Sequence, residues 1–178
     1  MVLKKAVFID RDGTLNHDPG FINRPEDFSF YEGAVKALKD ISALGFKIFI
    51  VTNQSGLGRG YIKESDLAKV HDKIYAELKK NGIGISDILV CPHLPEDRCL
   101  CRKPSPYMVK NAADKHEISL PDSFFIGDRE SDIRTGKNAG CKTILVLTGN
   151  GRETLKKCGV KPDFVVEAIK DAVTILGA

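Results

Sequence analysis

The chain has 178 residues, of which 42% are apolar and 29% charged, with a formal net charge of +3. That size and composition suit one globular domain, residues 1–178, with one sizeable core. Acidic and basic residues are mixed along the chain, with no long basic run to mark nucleic acid as the main partner. The apolar stretch at the N-terminus is too short for a signal peptide and is interrupted by Asp10, and no run is long enough to span a membrane. The expectation is a cytoplasmic protein with a small-molecule substrate and no membrane or nucleic-acid partner.

Ala6–Ile9 reads as the first strand, and 16–31 as a long connection rich in Pro, Gly, Asp and Asn. Residues 33–44 predict a helix, because Val35, Leu38, Ile41 and Leu44 recur at helical spacing. Residues 47–52 follow as the second strand. Glu64–Lys80 places Leu67, Val70, Ile74 and Leu78 on one stripe, and Asn81-Gly82 is a stop signal. The third strand is 88–90, and 91–106 is a second long loop that carries four prolines. Helix 106–116, strand 124–126, helix 131–139, strand 143–147, helix 151–158, strand Phe164–Val166 and helix 167–176 complete the pattern. Most strands are nearly continuous apolar runs, as parallel strands buried on both faces are. The alternation predicts an α/β three-layer sandwich with a central parallel sheet. Ligands of such sheets bind beyond the carboxyl ends of the strands.

The second loop carries Cys91, His93, Cys99 and Cys101 as C-x-H-x5-C-x-C. The total of five cysteines is odd, which argues against a disulfide framework. Three thiolates and one imidazole complete a tetrahedral zinc shell with no position left for water, so the zinc is expected to be structural. Cys141 and Cys158 read as core or near-surface thiols, and His17, His71 and His116 as solvated.

The first strand ends in Asp10-Arg11-Asp12-Gly13-Thr14-Leu15. Two carboxylates two residues apart at a strand end can serve as nucleophile and as acid and base. Asp-x-Asp-Gly-Thr-Leu after a hydrophobic strand resembles the first motif of the haloacid dehalogenase (HAD) superfamily of phosphatases. The superfamily's later motifs are matched in order by Thr52, by Lys103 in Cys-Arg-Lys-Pro, and by Asp128 in Gly-Asp-Arg-Glu-Ser-Asp. The resemblance implies an aspartyl-phosphate mechanism with Asp10 as nucleophile, Asp12 as acid and base, and Thr52 and Lys103 on the phosphoryl group. It also implies Mg2+ held by Asp10, Asp12 through its backbone carbonyl, and Asp128. Asp132 has two readings: it orients Lys103 or the metal's waters, or it caps the following helix. Neither long loop is large enough to form a cap domain, so the site should be open and nothing in it calls for a dimer.

The zinc loop, Cys-Pro-His-x-Pro followed by Cys-x-Cys-Arg-Lys-Pro, resembles a small-molecule branch of the superfamily. Two activities typify that branch: D,D-heptose 1,7-bisphosphate 7-phosphatase and histidinol-phosphate phosphatase. The resemblance runs from Phe8 to about Gly149. The loops around Asp18, Gly20 and Phe21 and around Asn53, Gln54, Ser55 and Arg59 look more like the heptose enzymes. Pro19 and Phe21 depart from their usual Asp-x-Gly-Tyr. A bisphosphate needs a clamp for the phosphate that stays, and Arg59, Arg102 and Arg129 are candidates beside Lys103. Histidinol phosphate would instead favour acidic groups such as Asp18, Glu26 and Asp27. A non-catalytic zinc-loop interaction protein is the rival from another class; the intact set Asp10, Asp12, Thr52, Lys103 and Asp128 argues against it.

Overall fold

A computed structural model describes residues 3–178; Met1 and Val2, the start of the short apolar N-terminal stretch, lie outside it. Six strands form one parallel sheet: β1 (Ala6–Ile9), β2 (Lys47–Asn53), β3 (Asp87–Cys91), β4 (Phe124–Gly127), β5 (Lys142–Val146) and β6 (Phe164–Val166), in the order β3-β2-β1-β4-β5-β6. The helices are α1 (Ala34–Ala43), α2 (Ser55–Gly58), α3 (Glu64–Lys80), α4 (Tyr107–His116), α5 (Glu130–Ala139), α6 (Gly151–Lys157) and α7 (Ile169–Leu176). Every expected strand and long helix is present. The four-residue α2 is an addition, in a segment whose Ser-Gly-x-Gly composition reads as a turn.

Side chains alternate across the sheet and build a core on each face. Val7, Ile9, Ile48, Ile50, Ile126 and Ile144 face α1, α3 and α7. Ala6, Phe8, Phe49, Val51 and Phe125 face α4 and the end of α5. The strands read as continuous apolar runs because both faces are covered. β1 and β4 lie side by side at the centre, with Val7 opposite Phe124 and Ile9 opposite Ile126. The topology changes direction between them, so their carboxyl ends open a crevice there.

Of the three histidines read as solvated, His71 and His116 depart from that reading. His116 packs edge-on against buried Phe49, with ring centroids 5.1 Å apart. His71 on α3 is half-buried, for a reason given below, and His17 is exposed but lies against the Tyr31 ring.

Helix α5 approaches the sheet closely at Gly136. A Cβ there would stand 2.6 Å from Thr143 Cγ2 and 2.7 Å from Phe125 Cβ. Both neighbours belong to central strands and cannot swing away. Gly136→Ala should therefore destabilise the protein by about 1–3 kcal/mol through overpacking. Denaturant titration should show a lower midpoint at unchanged slope; an unchanged midpoint would mean that α5 shifts freely.

Candidate active site

Asp10 follows the last residue of β1, and its backbone N–H donates to Ile126 O of β4 at 2.9 Å. Asp128 follows β4, and Asp132 stands in the first turn of α5. Ligand oxygens of Asp10, Asp128 and Asp132 lie within 4.8 Å of one another, and all three residues are buried. The Lys103 ammonium, also buried, enters this cluster from the loop after β3. It hydrogen-bonds the Asp10 carboxylate, pairs with Asp132 Oδ1 at 2.7 Å and donates to Val51 O at 2.9 Å. Asn53 at the end of β2 fixes the lysine's backbone, accepting from Lys103 N at 3.1 Å and donating to Lys103 O at 3.3 Å. Asp132 fulfils both of its readings, since its Oδ2 also accepts from Arg129 N at the start of α5.

Two of the three carboxylates, Asp10 and Asp132, therefore share one ammonium, and Asp128 stands beside them without it. Burial, reinforced by the charges of Asp132 and Asp128, pushes the Asp10 carboxyl well above its ordinary range despite Lys103. Burial and Asp132 likewise raise Asp128. Burial alone would lower the Lys103 pKa, but Asp10 and Asp132 outweigh it and the ammonium is held charged. One oxygen of Asp128, Oδ2, accepts from Asn150 N at 2.7 Å, whereas its buried Oδ1 has no hydrogen-bond partner. An orphaned carboxylate oxygen in an anion-rich cluster suits a hard divalent cation such as Mg2+. The close approach depends on Gly13, in the left-handed region at φ +90°, where a Cβ would stand 2.5 Å from Asp128 Oδ2.

The Asp12 side chain turns away from this cluster into a network of its own. Arg11 grips both its oxygens, Nε to Oδ1 at 2.9 Å and Nη2 to Oδ2 at 2.7 Å. Asn16 Nδ2 adds a bond to Oδ1 at 3.0 Å, and Gln54 Nε2 one to Oδ2 at 2.7 Å. Gln54 also donates to Thr52 Oγ1 at 2.8 Å. Burial works against the Asp12 anion, but Arg11, Asn16 and Gln54 prevail and hold the carboxyl below its ordinary range. Arg11 and Asn16 carry no sequence signal of their own. The first is the unspecified residue of Asp-x-Asp, and the second is one more polar residue in an Asn- and Asp-rich loop.

A cavity of about 380 Å3 opens over these groups, lined by Asp10, Asp12, Asp18, Gly20, Phe21, Thr52, Asn53, Gln54, Ser55, Arg102, Lys103, Arg129 and Ser131. The expected phosphoryl and substrate residues are thus brought together, apart from Arg59 and the acidic candidates Glu26 and Asp27. Arg59 is exposed and lies outside this lining, because α2 carries it away from the cleft. Glu26 and Asp27 are outside it too, and Asp27 is paired with Arg24. Arg102 donates to His93 O at 3.0 Å, and Arg129 reaches across the mouth to Asp18 Oδ2 at 3.5 Å. Phe21, at φ +35°, sets its ring edge-on to Tyr61 at the rim. A larger cavity of about 650 Å3, lined in part by Phe46, Phe124 and Phe164, lies at the opposite ends of the strands, away from the carboxylate cluster.

Beside the cleft, Cys91, His93, Cys99 and Cys101 converge. Cys101 Sγ lies 3.2 Å from Cys91 Sγ and from His93 Nδ1, and 3.6 Å from Cys99 Sγ. Ligands about 2.3 Å from a tetrahedral zinc stand about 3.8 Å apart, so the four atoms need only small outward shifts to enclose one.

An aspartate at the end of a central parallel strand, a buried lysine and an acidic cluster together define a HAD-type phosphohydrolase. The HAD-hydrolase-like family matches residues 100–172. D-glycero-beta-D-manno-heptose-1,7-bisphosphate 7-phosphatase of Helicobacter pylori strain J99 is 43% identical, over 84% of this chain and 87% of that one. D-glycero-alpha-D-manno-heptose-1,7-bisphosphate 7-phosphatase of Photorhabdus laumondii is 39% identical, over 82% of this chain and 84% of its own. The crystal structure of D,D-heptose 1,7-bisphosphate phosphatase from B. bronchiseptica, complexed with magnesium and phosphate, superposes with a TM-score of 0.91 at 34% identity and covers 97% of both chains. The chain belongs to this family of heptose-bisphosphate phosphatases, within the HAD-like hydrolases.

The raised carboxyls of Asp10 and Asp128 give a pH dependence with a definite sign. Groups whose pKa is raised by folding favour the native state when protonated and oppose it as pH rises through the raised values. A divalent cation binds the ionised forms and relieves that penalty. The gain in Tm on adding Mg2+ to magnesium-free protein should therefore grow as pH rises from the acid side. Thermal unfolding at a series of pH values checks this; a gain that shrinks with rising pH would count against these carboxylates as the ligands.

Proposed function

We propose that the protein is a magnesium-dependent D-glycero-D-manno-heptose 1,7-bisphosphate 7-phosphatase. The observation that carries this reading is the pairing of two features. Asp10, Asp128 and Lys103 form a cluster with an unsatisfied carboxylate oxygen, and the cavity above it is lined by two further cations, Arg102 and Arg129. The names of the family relatives support the sugar substrate. Every residue invoked comes from one chain, so the reading needs no second copy.

Asp10, the Asp12 backbone carbonyl and Asp128 would hold Mg2+, which neutralises phosphate charge and polarises the phosphoryl group. Lys103 orients Asp10 through its hydrogen bond and favours the anion against the burial that opposes it. The Asp10 carboxylate oxygen attacks phosphorus, forming an aspartyl-phosphate as the bond to the C7 oxygen breaks. Asp12 gives a proton to the departing alkoxide. In the second step Asp12 takes a proton from water as that water attacks phosphorus, which frees phosphate and restores Asp10. The resting network favours the Asp12 anion, the form the second step uses. For the first step Asp12 must gain a proton, and a phosphate monoester, with a second pKa of about 6, can bring one. Thr52 Oγ1, which accepts from Gln54, would donate its own hydrogen to the transferring group. Arg102 and Arg129 are suited to the phosphate that remains, by bidentate contact. Positioning and charge stabilisation dominate such transfers.

Asp10→Asn should lose about a thousandfold or more in kcat, as removal of a nucleophile does elsewhere, with the fold intact by circular dichroism. Substantial residual turnover would overturn the nucleophile assignment. Phosphate release from the heptose 1,7-bisphosphate should exceed that from histidinol phosphate in kcat/KM, the quantity that reports discrimination. A ratio in favour of histidinol phosphate would overturn the substrate and leave the catalytic roles standing.

A further inference from the structure

Arg11 is 1% exposed and is the bulkiest of the fully buried side chains. A buried guanidinium is costly unless it is paired, and its removal from a pair leaves the partner charge uncompensated. Its partner here is Asp12, gripped in a two-pronged contact by Nε and Nη2. With the bonds from Asn16 and Gln54, each oxygen of Asp12 accepts two N–H groups. The Arg11 fork fixes the plane of the carboxylate, and a proton can sit on it only when the Asn16 or Gln54 amide on that oxygen gives way to its other partner, His17 O or Thr52 Oγ1. The Asp12 side chain is nonetheless 20% exposed, and it lines the cavity.

The other terminal nitrogen of Arg11, Nη1, points the opposite way and lies 3.5 Å from His71 Nε2 on α3. Burial and the Arg11 charge lower the His71 pKa to about 4, so the ring stays neutral and offers a lone pair to the guanidinium. α3 is itself anchored by the buried stripe of Leu67, Val70, Ile74 and Leu78. It is also tied to the first loop, where Lys73 Nζ donates to Pro25 O and Phe28 O. A continuous path therefore runs from a packed helix through His71 and Arg11 to the carboxylate that handles protons.

We infer that Arg11, held from behind by His71, is a positioning residue for Asp12 and sets how well the site protonates a poor leaving group. The inference rests on the phosphatase reading above and extends it to two residues outside the expected motif roles. A lysine would keep the charge at this position but not the planar fork that fixes both oxygens.

The leaving group provides the test, because a nitrophenolate departs without a proton and an alkoxide needs one. kcat/KM would be measured for wild type, Arg11→Lys and Asp12→Asn with 4-nitrophenyl phosphate and with heptose 1,7-bisphosphate, an alkyl phosphate. Arg11→Lys should lose about tenfold more on the alkyl ester than on the aryl ester, in the same direction as Asp12→Asn, since general acid catalysis of this kind is worth at least that much. Equal losses on both esters would show a purely structural role and overturn the inference, as would no loss on either. His71→Phe should show the same selective loss at smaller amplitude, whereas His71→Gln, which keeps an acceptor, should retain the wild-type ratio. If Arg11→Lys does not fold, the His71 pair decides: a wild-type ratio or equal losses in His71→Phe would overturn the inference. Wild type inactive on both esters would instead defeat the phosphatase reading; wild type active on both with an unselective Arg11→Lys defeats this inference alone.

Discussion

The structure turns on the burial of the Lys103 ammonium. The side chain makes three contacts, and each comes from a different element: Asp10 beyond β1, Asp132 in α5 and Val51 O in β2. A charged amine at the bottom of a cleft is tolerable only when it is fully paired. Satisfying Lys103 therefore requires the loop after β3 to be drawn in, α5 to begin at the right height and β1 to end where it does. Asn53 completes the arrangement by clasping the lysine's backbone from the end of β2. Remove the amine, and two of the carboxylates lose the only positive charge they share among the described residues.

The site is organised as two adjoining electrostatic units. One has an excess of negative charge, with Asp10, Asp128 and Asp132 around a single ammonium and an oxygen of Asp128 left without a partner. The other is balanced, with Arg11 neutralising Asp12. The two aspartates of one Asp-x-Asp motif thus differ in their surroundings: Asp10 is raised by burial and like charge, and Asp12 is lowered by its cation and amide donors. Dissimilar surroundings suit two identical side chains to the different roles proposed for them, nucleophile and proton carrier.

Much of this was legible in the sequence, for physical reasons. Strands covered on both faces leave continuous apolar runs, and helices that pack by one face leave stripes such as Leu67, Val70, Ile74 and Leu78. Residues at the carboxyl ends of strands had to point into the crevice, which singled out Asp10, Thr52 and Asp128. Other features depend on contacts that chain spacing does not encode. Arg11 is polar and unremarkable in sequence, yet it is buried because Asp12 and His71 enclose it. His71 and His116 looked solvated because neither has a metal-ligating neighbour in the chain; the partners that bury them, Arg11 and Phe49, lie far away in sequence. Arg59 looked like a phosphate clamp by residue type, but α2, a helix too short to leave a periodic pattern, carries it outside the cavity.

The position of the zinc loop has a thermodynamic consequence for catalysis. Cys101, Arg102 and Lys103 are consecutive, so the last residue of the sulfur cluster is two residues from the buried amine. The segment from Cys91 to Cys101 has little core of its own, with Leu100 74% exposed. Closing such a loop costs chain entropy, and a metal that ties its ends and middle together removes most of that freedom in advance. The order of the loop is then drawn from the cluster and not from the sheet. With a metal bound there, the entropic cost of holding Lys103 in place would be met before any phosphate arrives, at a cluster beside the cleft and outside the cavity lining.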